Sequence, residues 1–126
     1  MSSTPLVFIL DDSELVLSML QMVCSQLGYE ATTAQSFADV EEVVTTNPPD
    51  FVLSDLNLPD APDKDPVSAL RKISTLQDVP IILVSGMDQA ELDKIAAERG
   101  AQGAISKDAG LPGMMAHLEP LLKELS

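Results

Sequence analysis

The chain has 126 residues, 45% of them hydrophobic, and a formal net charge of −13 with only 7 Lys and Arg. That length fits one domain with a real core, and the apolar content excludes a disordered chain. The charge excludes a phosphate-gripping nucleic-acid surface and docking on anionic lipid, and no apolar run approaches membrane-spanning length.

The start, Met1-Ser2-Ser3-Thr4, carries no basic segment of a secretory leader, and the single Cys24 has no internal disulfide partner. Both suit a reducing cytoplasm. Cys24 falls in a helical pattern, which predicts a buried, small apolar role rather than a reactive thiol.

Leu6 to Leu10 reads as a buried strand that runs into Asp11-Asp12-Ser13. A helix follows, with Val16, Met19, Leu20, Val23 and Leu27 on one face. Asp12 or Ser13 can cap its start and Gly28 stops it. One aspartate suffices for a cap and a favourable dipole charge, so the second is unexplained. Tyr29 to Ala34 reads as a weaker strand, suited to an edge. Ser36 opens a second helix through Thr46, with Phe37, Val40, Val43 and Val44 inward, and Asn47-Pro48-Pro49-Asp50 breaks it.

Phe51 to Leu53 is a third buried strand, and Asp55 sits where it ends. Asp60, Asp63 and Asp65 in the proline-rich loop that follows read as a solvated acidic surface, with a partner-specific feature as the alternative. A third helix is predicted from Pro66 to Leu76, with Val67, Leu70 and Ile73 inward. Ile81 to Val84 makes a fourth strand ending in Ser85-Gly86. A fourth helix spans Asp88 to Arg99 with a narrow apolar face of Leu92, Ile95 and Ala96, and Gly100 ends it. A fifth strand, Gln102 to Ser106, stops at Lys107. The last helix starts near Leu111-Pro112 and carries Met114, Met115, Leu118, Leu121 and Leu122, with a kink or break predicted at Pro120.

Strand then helix, five times over, predicts a single α/β domain, residues 1–126, with a parallel sheet covered on both faces. In such a sheet ligands bind outside the carboxyl ends of the strands. Asp11, Asp12, Asp55, Ser85 and Lys107 all fall there. Three carboxylates at one rim either raise a pKa or recruit a cation, and a hard ion such as Mg²⁺ suits oxygen ligands. An aspartate can attack phosphorus to give an aspartyl phosphate. Lys107 would place a compact positive charge beside the phosphate, and Ser85 can donate its hydroxyl to a phosphoryl oxygen.

Asp11-Asp12, Gly28-Tyr29, Pro49-Asp50, Asp55-Leu56-Asn57-Leu58-Pro59, Pro80-Ile81-Ile82, Ser85-Gly86, Gly100-Ala101 and Lys107 together resemble the receiver domain of two-component response regulators, of the stand-alone chemotaxis-regulator type. The resemblance covers nearly the whole chain. It implies a flavodoxin-like, doubly wound sheet of five parallel strands in order 2-1-3-4-5 with five helices. It implies that Asp55 accepts a phosphoryl group from a histidine kinase or phosphotransfer protein. It implies magnesium held by Asp12, Asp55 and the Asn57 backbone carbonyl, with Asp11 acting mainly through water, and Ser85 and Lys107 on the phosphoryl group. It further implies a self-catalysed transfer rather than an enzyme acting on other substrates, a cytoplasmic location, and a switched face made by helix four, strand five and helix five. That face would bind a downstream protein target, and homodimerisation is left open.

The sequence also departs from the family pattern. Ala104 stands where an aromatic usually couples to the hydroxyl, and Asp108 stands where a proline usually follows the lysine. The loop after Pro59 is longer and lacks its usual glycine, and Leu58 replaces a methionine. No aromatic follows Phe51, so docking must use Leu, Met and Ile, with Met114, Met115 and Leu118 as candidates unless they pack in the core.

A phosphatase of the haloacid-dehalogenase class would need a second acid where Asn57 stands. A flavin module would need a phosphate loop where Asp11-Asp12-Ser13-Glu14 repels phosphate. The Asp55, Asn57, Asp60 spacing is no calcium loop, because Pro59 falls at a ligand position. A degenerate receiver acting as a phosphorylation-independent interaction module is the alternative. His117 reads as a surface residue. With no DNA-binding helices in the chain, output through protein binding is expected.

Overall fold

The computed structural model describes residues 4–61 and 64–125. Residues 1–3, on which the leader reading rests, and Asp63 lie outside them. The strands are β1 (Leu6–Leu10), β2 (Glu30–Ala34), β3 (Phe51–Asp55), β4 (Ile81–Ser85) and β5 (Gly103–Ser106). The helices are α1 (Glu14–Gln26), α2 (Val40–Thr46), α3 (Pro66–Arg71), α4 (Gln89–Arg99) and α5 (Gly110–Leu125). Every strand pair is parallel, in the order β2-β1-β3-β4-β5. The expected doubly wound sheet is therefore present, with β2 at an edge.

The two-residue period of the strands divides the core. Phe8, Leu10, Val52, Ile81, Leu83 and Ala104 face α2, α3 and α4, and pack on Val40, Val44, Val67, Leu70, Leu92 and Ala96. Val7, Ile9, Phe51, Leu53, Ile82, Val84 and Ile105 face α1 and α5, and pack on Leu17, Leu20, Val23, Met114, Leu118 and Leu122. Cys24 joins this second cluster, and burial pushes its thiol up to about 12. It is an apolar filler, as its helical position predicts. Tyr29 and Phe51 meet edge-on, ring centroids 6.0 Å apart.

Ser13 caps α1, its Oγ accepting from the Val16 N–H at 3.3 Å. The buried face of α1 is rotated from the predicted one: Leu17 and Cys24 are buried, while Val16, Met19 and Leu27 are only half-buried. Ser36 does not cap a backbone group; its Oγ donates to Asp39 Oδ2 at 2.9 Å, beside a 3₁₀ turn (Phe37–Asp39) that precedes α2. The third helix stops at Arg71, and Ser74–Leu76 is a separate 3₁₀ turn. The Arg71 guanidinium explains this, because it donates to the carbonyls of Leu76 and Val79 and folds the chain back.

The break expected at Pro120 is absent, and α5 continues to Leu125. Proline there removes one donor, to the Ala116 carbonyl. Ala116 and Pro120 are both exposed, so water can serve that carbonyl, while buried Leu118 and Leu122 on either side hold the helix down. Met114 and Leu118 are core residues, 1% and 0% exposed, and so drop out as docking contacts, leaving half-buried Met115. His117 is exposed, as expected.

Leu118→Ala should therefore cost about 2–5 kcal/mol in urea denaturation, and Met115→Ala less than about 1.5 kcal/mol. Equal losses at the two positions would contradict the assignment of Leu118 alone to the core.

Candidate functional site

Parallel strands bring all their carboxyl ends to one rim, and β1, β3, β4 and β5 deliver chemistry there. Beyond β1, the Asp11 N–H donates to the Ala34 carbonyl at 3.2 Å, which extends the pairing with β2 by one bond. Asp11 Oδ1 then accepts from the Ser13 N–H at 2.9 Å, turning the chain into α1. Asp11 is 1% exposed, whereas Asp12 is exposed. Asp55 ends β3 at 6% exposure. Its Oδ1 accepts from the Asn57 N–H at 3.2 Å, and its carbonyl accepts from Ser54 Oγ at 3.0 Å.

One carboxylate oxygen each from Asp11, Asp12 and Asp55 lie within 4.8 Å of one another. Lys107 Nζ stands 2.9 Å from Asp11 Oδ2 and 3.6 Å from Asp55 Oδ1. Asp11 Oδ2 is fully enclosed, and the Lys107 ammonium is its charge partner. Three carboxylate oxygens this close, answered by one ammonium, fit a hard divalent cation, which takes oxygen ligands. Asp11, Asp12 and Asp55 could hold such an ion, with the exposed Asn57 adjoining.

Burial pushes the Asp55 carboxyl above its ordinary range. The Asn57 N–H and Lys107 pull it down, and Asp11 and Asp12 push it up again. Two fixed negative neighbours thus oppose one cation.

Ser85 ends β4 at 2% exposure, and its Oγ accepts from the Met87 N–H at 3.3 Å. The register sets Ser85 opposite Ser106, the last residue of β5. Asp11, Asp12, Asp55 and Lys107 therefore converge as the sequence predicts, and Ser85 sits on the same rim, held by its own turn. Asn57 meets Asp55 through its backbone N–H. Ser106 and Gln89 escaped the sequence reading. Ser106 Oγ donates to the Met87 carbonyl at 2.7 Å and accepts from the Asp108 N–H at 3.2 Å. The signal was a hydroxyl directly before Lys107, in register with Ser85.

Of the loop acids, Asp60 and Asp65 are not simply solvated. Asp65 caps α3 through the Ser68 N–H at 3.3 Å and lies 3.8 Å from Arg99. Asp60 Oδ2 accepts from the Ala38 N–H at 3.3 Å. A concavity of about 690 Å³, lined by Glu14, Asp39 and Glu42 among others, touches none of the rim residues. The carboxylates lie on a rim rather than at the floor of that concavity.

A family model, the response regulator receiver domain, matches residues 7–119. The transcriptional regulatory protein KdpE of Mycobacterium tuberculosis is 30% identical over 119 residues, covering 94% of this chain and 51% of that protein. The chain thus spans about half the length of the curated relatives it matches. Among solved structures, the chemotaxis response regulator CheY4 of Vibrio cholerae superposes with a TM-score of 0.79 at 23% identity, covering 94% of this chain and 99% of that one. A CheY-like receiver domain from Methylobacillus flagellatus gives 0.77 at 25% identity, covering 98% and 100%.

In metal-free buffer at pH 7, Asp55→Asn should raise Tm by about 3–5 °C, the equivalent of about 1 kcal/mol in a chain of this size. The folded-state pKa of Asp55 is raised, so folding strains a charge at neutral pH and strains nothing once both states are protonated. The Tm difference between variant and wild type should shrink as pH falls from the raised Asp55 value to the ordinary carboxylate value, and stay constant below it. A variant less stable than wild type at pH 7 would mean that Lys107 and the Asn57 amide outweigh burial.

Proposed function

This chain belongs to the response regulator receiver domain family, a component of two-component signalling, and we propose that it accepts a phosphoryl group on Asp55 with the help of a divalent cation, Mg²⁺. One observation carries the reading: a buried Asp55 shares its rim with Asp11, Asp12 and the Lys107 ammonium. Asp11, Asp12, Asp55 and the Asn57 backbone carbonyl would hold the ion, which would supply positive charge against the phosphoryl oxygens.

The residues divide the work. An Asp55 carboxylate oxygen attacks phosphorus, a new P–O bond forms, and the donor's bond to phosphorus breaks with its electron pair leaving on the donor. Lys107, already 3.6 Å from Asp55 Oδ1, needs little movement to face a phosphoryl oxygen. Ser85 has a hydroxyl proton to donate to a second oxygen. Asn57 is not an acid and cannot relay a proton to water as a second carboxylate would, which favours a phosphoryl group that persists. The transfer is to the protein's own side chain, so the protein is a switch rather than a turnover enzyme.

The donor in this reading is a histidine kinase or phosphotransfer protein, and the readout is a protein target. Its docking face is the one made by α4, β5 and α5. No helix among the described residues is long and apolar enough to cross a membrane, and a cytoplasmic location belongs to the same proposal.

Incubation with acetyl phosphate and Mg²⁺ should add one phosphoryl mass to the intact protein. Chelation or Asp55→Asn should abolish it, and Lys107→Ala should slow it on the order of 10²-fold. An adduct that survives Asp55→Asn would move the acceptor elsewhere. No adduct with any donor would favour an interaction module that never takes phosphate. Separately, millimolar Mg²⁺ should raise the wild-type Tm by mass action and leave Asp12→Ala unmoved.

A further inference from the structure

The loop between β4 and α4 is tied to the end of β5 by side chains that the acceptor chemistry does not use. Ser106 Oγ donates to the Met87 carbonyl at 2.7 Å. Gln89, the first residue of α4, lays its amide along the outer edge of β5. Its Oε1 accepts from the Ser106 N–H at 2.9 Å, and its Nε2 donates to the Ala104 carbonyl at 2.9 Å. A primary amide has one acceptor and two donors, so Gln89 imitates a peptide unit of a further strand. A second Nε2 contact, to Asp93 Oδ1 at 2.9 Å, fixes the amide's orientation from within α4.

These contacts run without a gap to the rim. The Met87 N–H donates to Ser85 Oγ, the Met87 carbonyl accepts from Ser106 Oγ, and Ser106 directly precedes Lys107. Meanwhile α4 has little else to hold its start. Asp88, at its N-cap, makes no side-chain cap bond, and only Leu92 and Ala96 of the helix are buried. An eleven-residue helix that buries only Leu92 and Ala96, with Ile95 half-buried beside them, opens locally at low cost, and two or three polar contacts then decide where its first turn sits.

We propose that Gln89 and Ser106 form a polar latch that couples occupancy of the carboxylate rim to the position of the α4 N-terminus. The proposal rests on Asp55 taking a phosphoryl group. When Ser85 Oγ turns to a phosphoryl oxygen, the Met87 N–H loses its acceptor. The turn at Met87 relaxes, its carbonyl slips from Ser106, and the Gln89 amide lets go of the β5 edge. The first turn of α4 is then free to shift. Gln89 touches no reacting atom, so it is a positioning residue for the response and not for the transfer.

Backbone amide exchange, read with intact mass on the same samples, tests this. In the wild type, phosphorylation by acetyl phosphate and Mg²⁺ should speed exchange at amides 87–92 by about 10-fold, the worth of one or two net hydrogen bonds. Gln89→Met keeps the length and apolar stem of the side chain but not its bonds. It should show that faster exchange before any phosphate is added and no further step afterwards, with the rate of phosphoryl incorporation within about twofold of wild type. Ser106→Ala should likewise raise the basal exchange at 87–92, a second route to the same unlatched state. An unchanged wild-type pattern despite a full mass adduct, or a Gln89→Met protein that responds like wild type, would overturn the latch and leave the acceptor reading intact. Absence of any wild-type mass adduct would overturn both together.

Discussion

Three carboxylates held against one ammonium set the terms for the rest of this structure. Parallel strands all finish at the same rim, so the acids that follow β1 and β3 must meet, and their mutual repulsion has to be answered locally. The answer comes from far away in the sheet. β5 is separated from β1 by β3 and β4, yet Lys107 reaches to 2.9 Å from Asp11. It does so from a 3₁₀ turn, Lys107–Ala109, that Ser106 caps. One lysine cannot balance three carboxylates, and the residual negative charge is what makes a divalent cation a natural occupant.

The two sides of the sheet are fastened differently. On one side α1 buries four side chains and α5 buries three, each set along a continuous apolar stripe. On the other, α4 buries two. At roughly 1.5–3 kcal/mol for each large apolar side chain, α1 and α5 are anchored while α4 is lightly seated. α2 likewise buries two, Val40 and Val44, but α4 is the lightly buried helix whose start is bonded to β5 through Gln89, which is why the proposed response is placed there.

The sheet was legible because β1, β3, β4 and β5 are short apolar runs, each closed by a polar residue. Asp11, Asp55, Ser85 and Lys107 were readable for the same reason. What escaped the sequence was contact across elements. The α1 face was misjudged by one position, since Val16 and Leu17 are both apolar and only the sheet beneath chooses Leu17. The end of α3 is set by Arg71 reaching carbonyls several residues downstream, which no periodicity records. Pro120 read as a kink or a break, and no break occurs because exposed Ala116 leaves its carbonyl open to water, which the sequence does not record. Asp65 read as surface charge, yet it is a cap. Gln89 drew no reading from the sequence, because its role depends on the free edge of β5.

The contacts at the far end of α4 sharpen this picture. Arg99, in its last turn, lies 3.8 Å from Asp65 and donates to the Lys64 carbonyl at 3.4 Å. Both partners belong to the loop that descends from Asp55 itself. The helix is therefore tied to the rim at both ends, through β5 at its start and through the loop after β3 at its finish. The two ties are unequal. The ion pair is long and partly exposed, the kind worth about 0–1 kcal/mol, and salt screens it further. The Gln89 amide makes two short bonds to backbone groups on a strand edge, one of them to buried Ser106. Release of the stronger tie alone would leave α4 resting on Leu92, Ile95 and Ala96 with a soft restraint at Arg99, so the expected motion is a swing of its first turn about its last.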